Sequence, residues 1–158
     1  MKVGFGYDIH PLTAGRKLVL GGVEIHSPLG EEGHSDGDVL IHAIIDALLG
    51  AASLGDIGRY FPPGDPEYKD ISSRILLKEI RILLGKQNFQ ICNVDSNVIL
   101  EQPKIAGFIQ DIQTTLAEDL GVSTDQVSVK GKTKEGMDAA GKGEAVEAYA
   151  VALVEKSG

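Results

Sequence analysis

Tryptophan is absent, cysteine occurs once, and no stretch is both long and apolar. A single cysteine, Cys92, rules out an intrachain disulfide. Its apolar neighbours Phe89, Ile91 and Val94 predict a small buried residue rather than a nucleophile. No run reaches the ~20 apolar residues of a membrane span, and the N-terminal MKVGFGYDIH lacks the apolar segment of a secretory signal. The chain therefore reads as soluble and intracellular (cytoplasmic), with any plastid-type transit segment absent. Positive charge is also scarce: 15 Lys and Arg stand against 23 Asp and Glu, for a net charge of -8. That balance repels nucleic-acid backbones and anionic lipid, so neither a nucleic acid nor a membrane is the expected partner. An anionic substrate would need a local positive device: a metal, a helix N-terminus or a few placed lysines. No internal repeat or low-complexity linker interrupts the 158 residues, which fit one domain spanning 1–158.

The hydrophobic pattern predicts strands over 2–7 and 17–20, with Gly21-Gly22 as a turn. The strongest helix begins at Ser35, with Asp38 three residues on in a capping-box pattern, and runs to about Ala52. A second helix covers 73–84, closed by Gly85. An extended segment follows over 89–100. Pro103 suits the first turn of a third helix, which Gly121 ends. A strand is predicted over 127–133. Residues 144–154 fit either a helix or a strand, and the sheet needs the strand. The expected fold is α+β (an α/β sandwich): one mainly four-stranded sheet with helices packed on one face.

The first helix is apolar around nearly its whole circumference, so it must be largely buried. Its exceptions, Asp38, His42 and Asp46, fall on one stripe, and buried ionisable groups need partners. A hydrogen-bonded Asp–His–Asp chain is one solution; a metal with its supporting shell is the other. Tyr7-Asp8-Ile9-His10 favours the metal, because positions i and i+2 of a strand share a face. Asp8 and His10 then join His42 as two imidazoles and a carboxylate, the donor set of a catalytic zinc with one open position. Manganese or iron also suits such donors. Asp46 is the natural acceptor for the second N–H of His42. His34 and Ser35 stand at a helix N-terminus, a ready phosphate site. The lysine-rich KGKTKE from Lys130 to Glu135 lacks the P-loop spacing.

DIH at 8–10, HSDGDVLIHAIIDALLGAASLGDIG at 34–58, FPPGDP at 61–66, EQPK at 101–104, KTKE at 132–135 and GKGE at 141–144 together resemble the 2-C-methyl-D-erythritol 2,4-cyclodiphosphate synthase family, over essentially the whole chain and in order. The resemblance implies a homotrimer with active sites between subunits. Its substrate is a cytidine diphosphate-type molecule, 4-diphosphocytidyl-methylerythritol 2-phosphate, converted into the cyclodiphosphate and CMP in the non-mevalonate isoprenoid route. Asp8, His10 and His42 would hold zinc or another divalent cation, and Glu135 a magnesium or manganese ion beside the diphosphate. Asp8, Ile9, His10, His34 and Ser35 would face the diphosphate and erythritol part. Asp56, Ile57 and Gly58 would take sugar hydroxyls, with Phe61, Pro62, Pro63, Gly64 and Asp65 lining the erythritol pocket. Leu100, Glu101, Gln102, Pro103, Lys104, Ile105 and Ala106 would cradle the cytidine, joined by Lys132, Thr133, Lys134 and Glu135. His34 and Thr133 would stabilise the transition state.

Some positions depart from the family pattern. Pro63 stands where Asp is common, and Lys132 where Thr is common. Ala139 and Lys142 replace the Phe and Arg that line the trimer's central cavity in many members. Lys offers a point charge in place of a bidentate fork, so prenyl-diphosphate binding there is expected to be weak or absent. A zinc phosphohydrolase and a non-catalytic trimeric nucleotide- or metabolite-binding regulator are the competing readings.

Overall fold

The computed structural model describes residues 1–157. The chain runs β1 (Lys2–Ala14), β2 (Leu18–Leu20), β3 (Val23–Ile25), β4 (Leu29–Glu31), α1 (Val39–Ala52), α2 (Ile57–Tyr60), α3 (Ser73–Lys86), β5 (Phe89–Ile99), α4 (Ile109–Leu120), β6 (Val127–Lys132), α5 (Asp138–Gly141) and β7 (Ala145–Lys156). The main sheet has five strands rather than four, in the order β4-β1-β7-β5-β6, and β2 pairs with β3 as a separate ribbon. The added strand is the three-residue β4, which pairs with the far end of β1. It is too short to carry a period-2 signal. Only β5 and β6 are parallel, joined through α4; the other pairings are antiparallel. The ambiguous final segment is a strand, and its alternation has a plain cause. Val146, Ala148, Ala150, Ala152 and Val154 are buried, facing the same side as Gly4, Gly6 and Asp8 of the neighbouring strand.

α1 is the centre of the core: eleven of its residues, from Val39 to Ala52, are buried. A helix apolar on every side needs cover on every side, and α1 lies between β1, β7, β2 and α3. Among the described residues, no helix is long and apolar enough to cross a membrane.

Three helix boundaries differ from the sequence reading. α1 starts four residues after Ser35, with Asp38 as N-cap accepting from the Ile41 N–H. α3 runs through Gly85 to Lys86, and the left-handed residue that ends this segment is Asn88, with φ of 59°, rather than Gly85. Pro103 follows a cis peptide in a loop ahead of α4, so it does not open that helix.

Asp38 is fully buried, and its carboxylate accepts from Gly21 N–H at 3.0 Å and Gly22 N–H at 2.7 Å as well as from Ile41. Burial, with Asp36 nearby, pushes its pKa up to about 6 against the opposing backbone N–H groups. Between about pH 4 and pH 6 the native state thus keeps a proton that the unfolded chain has released. The stability this gives is full below about pH 4 and is lost as pH rises through about 6. Urea unfolding should show wild-type stability falling by about 3 kcal/mol more across that window than the stability of Asp38→Asn. Equal slopes in the two proteins would refute the assignment.

Candidate metal centre and substrate clefts

On β1, Asp8 and His10 share the face turned toward α1. Gly4 and Gly6 of the same face let the strand approach that helix closely: a Cβ added at either would lie 1.9 Å from the carbonyl oxygen of Ala47 or Ala43. His42, on α1 beside Ala43, is thereby brought onto the strand. Asp8 Oδ2 and His10 Nε2 are 2.8 Å apart, His10 Nε2 and His42 Nδ1 3.2 Å, and His42 Nδ1 and Asp8 Oδ2 3.1 Å.

Tetrahedral zinc with bonds of about 2.0–2.1 Å holds its donors roughly 3.3 Å apart, so this triangle needs little opening to fit. The outer ring nitrogens are engaged too. His10 Nδ1 donates to the Glu32 carbonyl at 2.8 Å, and His42 Nε2 meets Ser73 Oγ at 2.9 Å. Burial opposes ionisation of Asp8, yet the two imidazoles beside its carboxylate bring its pKa down to about 2. Burial likewise opposes charging His10, but the Asp8 carboxylate outweighs it and raises the pKa. Binding of a divalent ion requires Asp8 Oδ2, His10 Nε2 and His42 Nδ1 all to present lone pairs, so any proton among them has to leave.

The stripe on α1 does not act as one unit. Asp38 serves the glycine turn, and Asp46 Oδ1 accepts the Ile57 N–H at 2.7 Å, anchoring α2. Asp46 therefore does not support His42; Ser73 does. The helical spacing put the three residues in line, but the elements packed over each decided its partner.

Beside the triad lies a cleft of about 220 Å³ lined by His10, His34, Ser35, His42, Ile57, Gly58, Phe61 and Pro63 among the expected residues, with Tyr68 and Leu76 in addition. His34 Nε2 donates to the Asp65 carbonyl at 2.7 Å, so the loop of Pro62, Gly64 and Asp65 is tied to the cleft's rim. Asp56 caps α2 through the Arg59 N–H. Ile9 points to the opposite face of the sheet and is 44% exposed, away from this cleft. Arg16 has no sequence signal, yet it donates to the carbonyls of Glu31, Gly33 and Ser35 at 3.1, 3.3 and 3.2 Å. It thereby fixes the loop that carries His34 and Ser35.

A second cleft, of about 240 Å³, collects Leu100, Lys104, Ile105, Ala106, Lys132 and Thr133 with Val98, Ile109, Val129 and Gly131. Glu101, Gln102, Pro103 and Lys142 instead border a separate hollow with Ser27 to Leu29. Lys134 is not free to meet an anion: its ammonium pairs with Asp138 at 2.8 Å and with the buried Glu147 at 2.6 Å. Glu135 is exposed, with φ of 53°, and accepts from the Thr133 hydroxyl at 3.2 Å. It is not grouped with Asp8, His10 and His42 among the described residues. Asp8, Ala148, Val98 and Gly131 stand in one row across β1, β7, β5 and β6. The triad and the second cleft are thus about 14 Å apart in one chain, three strand spacings.

Comparison with known proteins gives a consistent result. The model of the YgbB family matches residues 1–155. A curated 2-C-methyl-D-erythritol 2,4-cyclodiphosphate synthase from Pelotomaculum thermopropionicum is 54% identical over 158 residues, covering 100% of this chain and 98% of that protein. A solved bifunctional IspDF from Campylobacter jejuni superposes with a TM-score of 0.95 at 35% identity, over 99% of this chain, which spans 42% of that longer one. The Plasmodium falciparum IspF, solved as a CDP complex, gives 0.87 at 38% identity over 99% of this chain and 97% of its own.

Proposed function

Because the chain belongs to the YgbB family, whose curated relatives are 2-C-methyl-D-erythritol 2,4-cyclodiphosphate synthases, we propose that its single domain cyclises 4-diphosphocytidyl-2-C-methyl-D-erythritol 2-phosphate in the non-mevalonate route of the cytoplasm. The observation that carries this reading is the convergence of Asp8, His10 and His42 on one point beside a cleft of about 220 Å³. An oxygen of the 2-phosphate attacks the β-phosphorus, the bond from that phosphorus to the bridging oxygen breaks, and CMP leaves with the electron pair. No protein nucleophile is required, so the residues work by positioning and charge.

Asp8, His10 and His42 would hold a divalent ion, zinc by preference, whose charge would offset repulsion between the two phosphates. Glu135 would hold a second ion, magnesium or manganese, since one carboxylate plus substrate phosphates is a usual magnesium site. His34 and Ser35, held by Arg16 and Asp65, orient the diphosphate from the rim. Phe61 and Pro63 give the erythritol an apolar wall. Lys104, Lys132 and Thr133 border the nucleotide cleft.

The separation of about 14 Å between the triad and the second cleft is best explained if the nucleotide cleft of one subunit serves the triad of its neighbour. The face of the sheet turned away from the helices supports such an assembly. Val3, Phe5, Tyr7, Ile9 and Val151 are 67%, 64%, 42%, 44% and 41% exposed along it, a contiguous apolar strip of the kind that marks a protein interface. We place the homotrimer contact there. Light scattering should give a trimer for the wild type and a monomer for Phe5→Glu, with turnover reduced at least about 100-fold. A fully active Phe5→Glu monomer would overturn the shared-site arrangement.

Phosphorus NMR of the reaction tests the chemistry: a cyclic diphosphate plus CMP is expected. Linear phosphates would identify a zinc phosphohydrolase instead, and binding without turnover a nucleotide- or metabolite-binding regulator.

A further inference from the structure

His42 can offer only one ring nitrogen to a metal, and the partner of its other nitrogen decides which one. That partner is Ser73, the first residue of α3, whose side chain is fully buried. Its oxygen lies 2.9 Å from His42 Nε2 and 2.5 Å from Asp36 Oδ1. Asp36 is built to accept: Oδ1 also takes the Asp38 N–H at 3.2 Å and Oδ2 the Ser73 N–H at 3.0 Å. A serine hydroxyl has one proton. With that proton committed to Asp36, the oxygen presents only lone pairs to His42.

We propose that Ser73 and Asp36 are positioning residues that hold a proton on His42 Nε2 and so reserve Nδ1 as the metal donor, an inference that rests on the metal reading of Asp8, His10 and His42. The direction of each bond follows from the one before it: Asp36 accepts from Ser73, and Ser73 accepts from His42. Ser35 Oγ, 3.2 Å from the same nitrogen, can share the His42 proton but is not needed to orient it. The arrangement mirrors His10, whose Nδ1 is engaged by the Glu32 carbonyl so that Nε2 faces the triad. It also joins the loop after β4 to the start of α3: the Asp36 N–H donates to the Ile71 carbonyl at 3.0 Å and the Asp70 N–H to that of His34 at 2.9 Å. The imidazole is thereby set between two chain segments that are themselves tied together.

The test is zinc competition against a chromophoric chelator. Ser73→Ala should bind zinc about 10–100-fold more weakly than wild type, the usual loss when a ligand's supporting group is removed. Cobalt(II)-loaded protein separates orientation from packing. Wild type should show two hyperfine-shifted, exchangeable ring N–H proton signals, from His10 and His42; in Ser73→Ala the His42 signal should broaden through exchange with water while the His10 signal stays. Asp36→Asn keeps the hydroxyl but places an amide where only acceptors fit, and it should weaken zinc and broaden the same signal. It also decides the matter if Ser73→Ala fails to fold. Wild-type affinity in the folded variants, or weakened affinity with both N–H signals unchanged, would overturn the proposal. A wild-type protein that binds no zinc would instead remove the metal reading on which it stands.

Discussion

Gly6→Ala is expected to destabilise the protein by roughly 4 kcal/mol or more and to leave little folded material at growth temperature. The added methyl would lie 1.9 Å from Ala43 O and 2.8 Å from Ala47 N, both backbone atoms of α1. A carbon contact requires about 3.5 Å, so the helix must withdraw by well over 1 Å or the strand must bend. Neither is easy, because α1 is largely buried and β1 pairs with β7 from Lys2 to Pro11. Withdrawal also separates His42 from Asp8 and His10, whose donor atoms now lie 2.8–3.2 Å apart. Any molecules that do fold should therefore bind zinc poorly. Thermal melting of the metal-free protein and zinc titration of the soluble fraction are the measurements. A melting point within a few degrees of wild type would show that the strand and helix are not held as closely as described.

His42→Ala should do the reverse: keep the fold and lose the function. Alanine is a good helix former, so α1 remains. One of three donors is gone, and a site with only Asp8 and His10 no longer matches the usual three-ligand catalytic arrangement. Zinc stoichiometry should fall well below one per chain, and CMP release by roughly 1,000-fold or more. Asp46→Ala is the informative partner. The sequence stripe would make it a metal-site variant, but the structure gives it the Ile57 N–H alone. It should therefore retain full zinc and disturb only the cleft wall at Ile57 and Gly58. Retained turnover in His42→Ala, or lost zinc in Asp46→Ala, would contradict the geometry.

The sequence by itself determined the pieces whose signal is local. The i, i+2 spacing of Asp8 and His10 puts both on one strand face, and the apolar circumference of 39–52 demands a buried helix with His42 on it. The alternation from Val146 to Val154 reflects one covered sheet face, and the ordered motifs pointed to the family. Periodicities of 2 and 3.6 carry such information because they depend only on neighbours within a few residues. Tertiary structure alone decided which group meets which. Asp38, His42 and Asp46 share a stripe but serve a glycine turn, the triad and α2, because three different segments cross the helix at those heights. Ser73 and Arg16 carry no mark in the sequence, since each acts through a partner 31 and 15–19 residues distant. The separation of Glu135 and the second cleft from Asp8, His10 and His42 follows from strand order, which the periodicity of a single strand does not contain. The triad was thus legible as three donors, whereas its close fit depends on Gly4 and Gly6, where the missing side chains let strand and helix meet.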